Sequence, residues 1–117
     1  MSYMLMILEP AGQRAERGPV AGREVYAHML RFTADLQSRG LLLASASLAP
    51  DTTASRVQIR EGRKRLLDGP FAETKEMVGG FFLVNCGTRE EALAIAAQCP
   101  AAQWCTVEVR ETGPCYM

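Results

Sequence analysis

The densest set of groups able to do acid–base chemistry is Asp68-Gly69-Pro70-Phe71-Ala72-Glu73-Thr74-Lys75-Glu76, where three carboxylates and one lysine fall within nine residues. Burial beside an aromatic ring disfavours the charged form of a carboxylate in general, so Asp68, at a strand end next to Phe71, is a candidate acid or base. Gly69, Pro70, Phe71, Glu73, Lys75 and Glu76 would then line a binding site around it. The plainer reading makes Asp68 the acceptor of its own Gly69-Pro70 turn, Phe71 a core anchor, and Glu73, Lys75 and Glu76 solvated charges. A turn alone needs no segment of this length. His28 is the single histidine of the chain and a second candidate for proton transfer.

Other chemistry finds no support. Lys plus Arg equals Asp plus Glu at 13 each, so no long-range field favours nucleic acid or an anionic membrane. The basic run Arg60 to Arg65 is interrupted by Glu61 and Gly62 and reads as a polar hairpin tip. The four cysteines, Cys86, Cys99, Cys105 and Cys115, have no C-x-x-C spacing and are expected as reduced thiols, with Cys99 and Cys105 on buried faces. One histidine leaves no metal site to complete, and no cofactor motif is present in the sequence. The opening MSYMLMILEP is too short in apolar residues for a membrane span and has no basic leader, so a cytoplasmic protein is expected.

At 117 residues the chain is expected to form one domain over 1–110, followed by a tail over 111–117. Tyr3 to Leu8 is apolar throughout and predicts a central strand. Pro10 to Gly22, with two prolines and three glycines, predicts a long loop. Val25, Met29, Phe32 and Leu36 then share one stripe of a helix over Arg23 to Arg39. His28 lies about 60° off that stripe, at the edge of a core.

Leu41 to Leu48 predicts a strand, and Arg56 to Arg60 with Lys64 to Asp68 a hairpin around Glu61-Gly62-Arg63. Phe71 to Met77 predicts a helical turn at most, and Gly79-Gly80 opens the strand FFLVNC. Thr88 and Glu91 form a capping box ahead of a helix with the stripe Ala92, Ile95, Ala96 and Cys99. Trp104 to Arg110 closes as a strand with Cys105, Val107 and Val109 on one face. The order β-α-β-(hairpin)-β-α-β predicts an α+β fold with two helices on one face of an antiparallel sheet. The other face is left apolar and uncovered, and a second copy is its simplest cover, which makes a homodimer the expected state.

The string DGPFAETKE, the following GGFFLV, the helix EEALAIAAQCPAA and the closing VEVR resemble the YCII-related proteins of the DGPF subfamily. The resemblance implies a ferredoxin-like fold that pairs into a dimeric α+β barrel, a bacterial source, and genes that often neighbour sigma-factor genes, which adds a sigma factor to the expected partners. It implies no settled activity. Distant relatives include lyases that use a histidine and an aspartate near the dimer cleft. Here Met29 stands where their histidine would align, with His28 one residue before it, so that assignment does not carry over. CPAAQWCT, with Trp104 and Cys105, departs from the glycine-containing turn of the subfamily; Trp104 is expected in packing, or stacked on a planar ligand.

Three functions follow as expectations. The first is a module that binds or senses a small molecule at a dimer cleft. The alternative is a cofactor-free lyase or isomerase of small cyclic acids or lactones, with Asp68 moving the proton. The third is an interaction dimer without ligand.

Overall fold

The computed structural model describes residues 1–116; Met117, last of the expected tail, lies outside them. Among the described residues the order is β1 (Ser2–Pro10), α1 (Gln13–Ser38), β2 (Leu42–Ser47), β3 (Ser55–Arg60), β4 (Arg63–Asp68), β5 (Glu76–Asn85), α2 (Arg89–Gln98) and β6 (Thr106–Glu111). Short 3-10 turns occupy Asp51–Thr53 and Pro100–Gln103. Four strands form an antiparallel sheet in the order β2-β5-β1-β6, and β3 and β4 pair apart from it. This is an α+β fold whose strand order is compatible with the ferredoxin-like arrangement.

Side chains alternate along β1, so Tyr3, Leu5 and Ile7 sink into the core while Met4, Met6 and Leu8 stay half-exposed on the opposite face. The buried set meets Phe82 and Val84 of β5, Phe32 and Leu36 of α1, and Ala92, Ile95 and Ala96 of α2. Phe32 meets Phe82 edge to face with ring centroids 5.2 Å apart. The cap forms with its return bond shifted: Thr88 Oγ1 accepts the Glu91 N–H at 3.2 Å, and Glu91 Oε2 accepts the N–H of Gly87, one residue before the N-cap, at 3.0 Å.

Several expectations are corrected. The segment 10–22 is mostly helical: α1 begins at Gln13, breaks where Gly18 takes φ 80° and ψ 167°, and restarts at Pro19. Proline fits the first turn of a helix because its missing N–H would have no partner there, so glycine and proline mark a joint between two helical pieces. Phe71 to Met77 makes a turn and no helix, with the Thr74 N–H donating to Phe71 O at 3.0 Å, and Glu76 and Met77 already belong to β5. That strand runs through Gly79 because a bulge absorbs it: Ile7 faces Gly80 and Leu8 faces Val78. Trp104 and Cys105 precede β6, although Cys105, Val107 and Val109 do pack together against the core.

The hairpin turns on Glu61 (φ 53°) and Gly62 (φ 75°), a two-residue connection with both residues left-handed, and Arg63 starts β4. Val57, Ile59 and Leu66 share one of its faces and are 59–61% exposed. The arm stretches the molecule to a radius of gyration of 16.0 Å, against about 13 Å for a compact chain of this length.

Candidate functional site

Phe32 and Leu36 pin the C-terminal half of α1 to the sheet. Met29 and Val25, on the same stripe, are only half-buried, because the N-terminal half stands off the strands. The gap is a cleft of about 1090 Å³. Ile7, Phe82, Gly79 and Gly80 line its sheet side, and Val25, Tyr26 and Met29 its helix side. Its charged lining is Glu9, Arg14, Arg17 and Arg23.

The alternation that buries Tyr3, Leu5 and Ile7 also turns Glu9 inward, where it is 6% exposed. Arg14 Nε lies 2.6 Å from Glu9 Oε1, an ion pair in distance. The N–H direction misses the oxygen, which leaves Oε1 without a hydrogen-bond partner. The Gly79 bulge makes room for this carboxylate: a Cβ at position 79 would stand 2.7 Å from Oε1. Burying a charge is expensive unless it is paired and hydrogen-bonded, so a half-satisfied carboxylate beside a cavity marks a place where a ligand can complete the set.

Trp104 lines the cleft, with Arg17 Cζ 5.8 Å from its ring centroid. Gln13 ties this wall to α1: its Nε2 donates to Trp104 O at 2.6 Å, and its Oε1 accepts from Cys105 Sγ at 3.2 Å. Burial first, and the nearby Glu9 charge second, push the Cys105 thiol up to about 11, so it stays protonated.

The DGPF segment sits at the base of the hairpin. Asp68 ends β4, is exposed, and accepts the Ser55 hydroxyl through Oδ1 at 2.7 Å. The Gly69 N–H donates to Ala54 O at 2.7 Å, and the Gly69–Pro70 peptide is cis. Phe71 is buried beneath Arg56, whose Cζ lies 3.6 Å from the ring centroid. Arg56 also reaches Thr74 Oγ1 at 3.2 Å and Glu73 Oε1 at 3.6 Å. Lys75 is exposed and accepts the Ala11 N–H through its carbonyl at 2.9 Å; Glu76 pairs with Pro10. A second cavity of about 480 Å³ involves Arg56, Phe71, Thr74 and Glu76, and Asp68 does not line it. The segment is thus tied to the hairpin through Arg56 and to Ala11, just past β1, through Lys75. His28 is exposed on α1, with Nδ1 2.6 Å from Arg31 Nη2, and does not line the cleft.

Glu9, Arg14 and Arg17 escaped the sequence reading because Pro10 made Glu9 look like the end of a strand. The available signal was the period of two, which places residue 9 on the face of residues 3, 5 and 7.

Fold and site together define a small α+β protein with an antiparallel sheet and an intramolecular cleft holding a buried acid. The YCII-related domain family matches residues 1–114, and the chain belongs to that family. It is also 44% identical over 57 residues to an uncharacterized protein of Rhizobium meliloti (strain 1021), a match covering 49% of this chain and 46% of that protein. The matched stretch thus spans about half the length of the curated relative. No helix among the described residues is long and apolar enough to cross a membrane.

Proposed function

We propose that this YCII-family chain is a small-molecule-binding module that works as a homodimer, with the ligand held between α1 and the sheet. The observation that carries the reading is the cleft of about 1090 Å³ with Glu9 buried in its wall. Apolar walls with a few placed polar groups are the usual make-up of small-ligand sites. The dimer is supported by the uncovered face of Met4, Met6, Phe81 and Leu83 and by the projecting apolar face of the hairpin. Such pairing agrees with the dimeric α+β barrel implied by the DGPF resemblance. A sigma factor as downstream partner rests on the resemblance alone. The lyase reading draws less support, since Asp68 accepts a hydroxyl on the exposed hairpin base and does not line the cleft.

Gly22 supplies a clean test. It lines the cleft, a Cβ there meets nothing within 4 Å, and it takes no left-handed φ, so Gly22→Phe should block the cleft at little cost to folding. Binding of anilinonaphthalene sulfonate is followed through its own fluorescence and through Trp104, the sole tryptophan. The wild type should bind saturably and Gly22→Phe should weaken binding roughly tenfold or more, about 1.4 kcal/mol. Equal binding by both proteins would remove the cleft as the site.

A further inference from the structure

The cleft also carries information about the chemistry of its ligand, an inference that rests on the binding reading above. Two groups in it want opposite partners. Glu9 lines the cavity with a carboxylate that is paired with the Arg14 guanidinium, yet its buried Oε1 has no hydrogen-bond partner among the described residues. Arg17 and Arg23 line the same cleft without another acidic residue in its lining to answer them. Arg14 is engaged by Glu9, so the remaining lining charge is two guanidiniums, one of them half-buried against Trp104. The same lining includes the apolar Val25, Met29 and Phe82.

We infer that the cleft takes a small organic acid that also carries a hydroxyl or ammonium donor on an apolar body. The donor is received by the Glu9 carboxylate, and the ligand's own carboxylate by Arg17 and Arg23. A guanidinium's planar fork matches a carboxylate in geometry, and a hydrogen bond to a buried charge is stronger than one between neutral groups. A donor-free acid would leave Glu9 unsatisfied, and a donor without a carboxylate would leave the arginines in water.

Three alicyclic probes that are transparent at tryptophan excitation test this by titration of Trp104 emission: trans-4-hydroxycyclohexanecarboxylate, cyclohexanecarboxylate and cyclohexanol. On the wild type the hydroxy acid should bind at least about tenfold more tightly than either single-function probe, the usual value of a hydrogen bond to a charged group. Glu9→Leu should erase the advantage over cyclohexanecarboxylate without weakening the latter, and Arg17→Met with Arg23→Met should erase the advantage over cyclohexanol. If the hydroxy acid and cyclohexanecarboxylate bind the wild type equally, Glu9 reads no donor and the inference falls, while binding lost in Gly22→Phe would still uphold the cleft as a site. If none of the probes binds, the inference falls as well. The wild-type comparison decides the matter even where Glu9→Leu does not fold.

Discussion

Gly79 and Glu9 share one space: the carboxylate occupies the volume that any side chain at position 79 would need. Gly79→Ala should therefore push the Glu9 head group off Arg14 and destabilise the fold by about 1–2 kcal/mol, the lower range for overpacking. Gly69→Ala should be worse, about 3 kcal/mol, because its Cβ would run into the backbone carbonyl of Asp51, which cannot swing aside. Urea midpoints at fixed protein concentration measure both. Equal effects would mean that the Glu9 pocket is as rigid as the backbone turn.

Arg56 and Phe71 act as a clasp between the hairpin and the turn that leads into β5. Arg56→Met keeps most of the stem and removes the charge, so a loss of about 1 kcal/mol is expected from the lost cation–π contact and its exposed ion pair. Phe71→Leu alone should cost about 1–2 kcal/mol, and a double-mutant cycle should show coupling of about 0.5 kcal/mol or more. Purely additive losses would mean that the stacking carries no energy.

Asp68 separates the structural reading of its motif from the chemical one. Asparagine retains an oxygen for the Ser55 hydroxyl, and the pair is exposed. Asp68→Asn should shift stability by less than about 1 kcal/mol, and Ser55→Ala should shift it by a similar amount. Chemical denaturation checks this. A clear gain in stability would point to a carboxylate held unfavourably for function.

The uncovered sheet face should behave as an interface. Met6 lies opposite both Phe81 and Glu108, in the middle of that face. Sedimentation should give the mass of two chains for the wild type and of one for Met6→Glu, because a glutamate there would be buried beside the like-charged Glu108. A wild type that stays monomeric at high micromolar concentration would remove the dimer.

Cys105 should mark the alkaline limit of the fold. Its thiol titrates ordinarily at 9.0 and is pushed to about 11 in the fold, so the native state holds its proton longer than the unfolded chain does. That contribution is fully present below pH 9, and it fades as pH rises through about 11. The urea midpoint should fall between pH 8.5 and 10.5, and less steeply in Cys105→Ser. Since the Glu9 charge is one cause of the rise, Glu9→Gln should speed iodoacetamide labelling of Cys105 at pH 8.5. An unchanged rate would place Glu9 out of electrostatic reach.

The sequence by itself determined the elements that depend on neighbours along the chain. The α2 cap at Thr88, the stripe of Ala92, Ile95 and Ala96, the hairpin around Gly62 and the central strand β1 all follow from local spacing, because a helix repeats every 3.6 residues and a strand every two. The opening of α1 was hidden because Gly18 and Pro19 mark a joint as readily as a loop. Tertiary structure alone decided where the site lies. Glu9 became a buried acid only when the Gly79 bulge, 70 positions along the chain, made room for it and α1 stood away from the sheet. The conspicuous DGPF segment folded into a brace at Arg56 for the same kind of reason. Which charges are desolvated depends on contacts between residues far apart in sequence, and no local periodicity records those contacts.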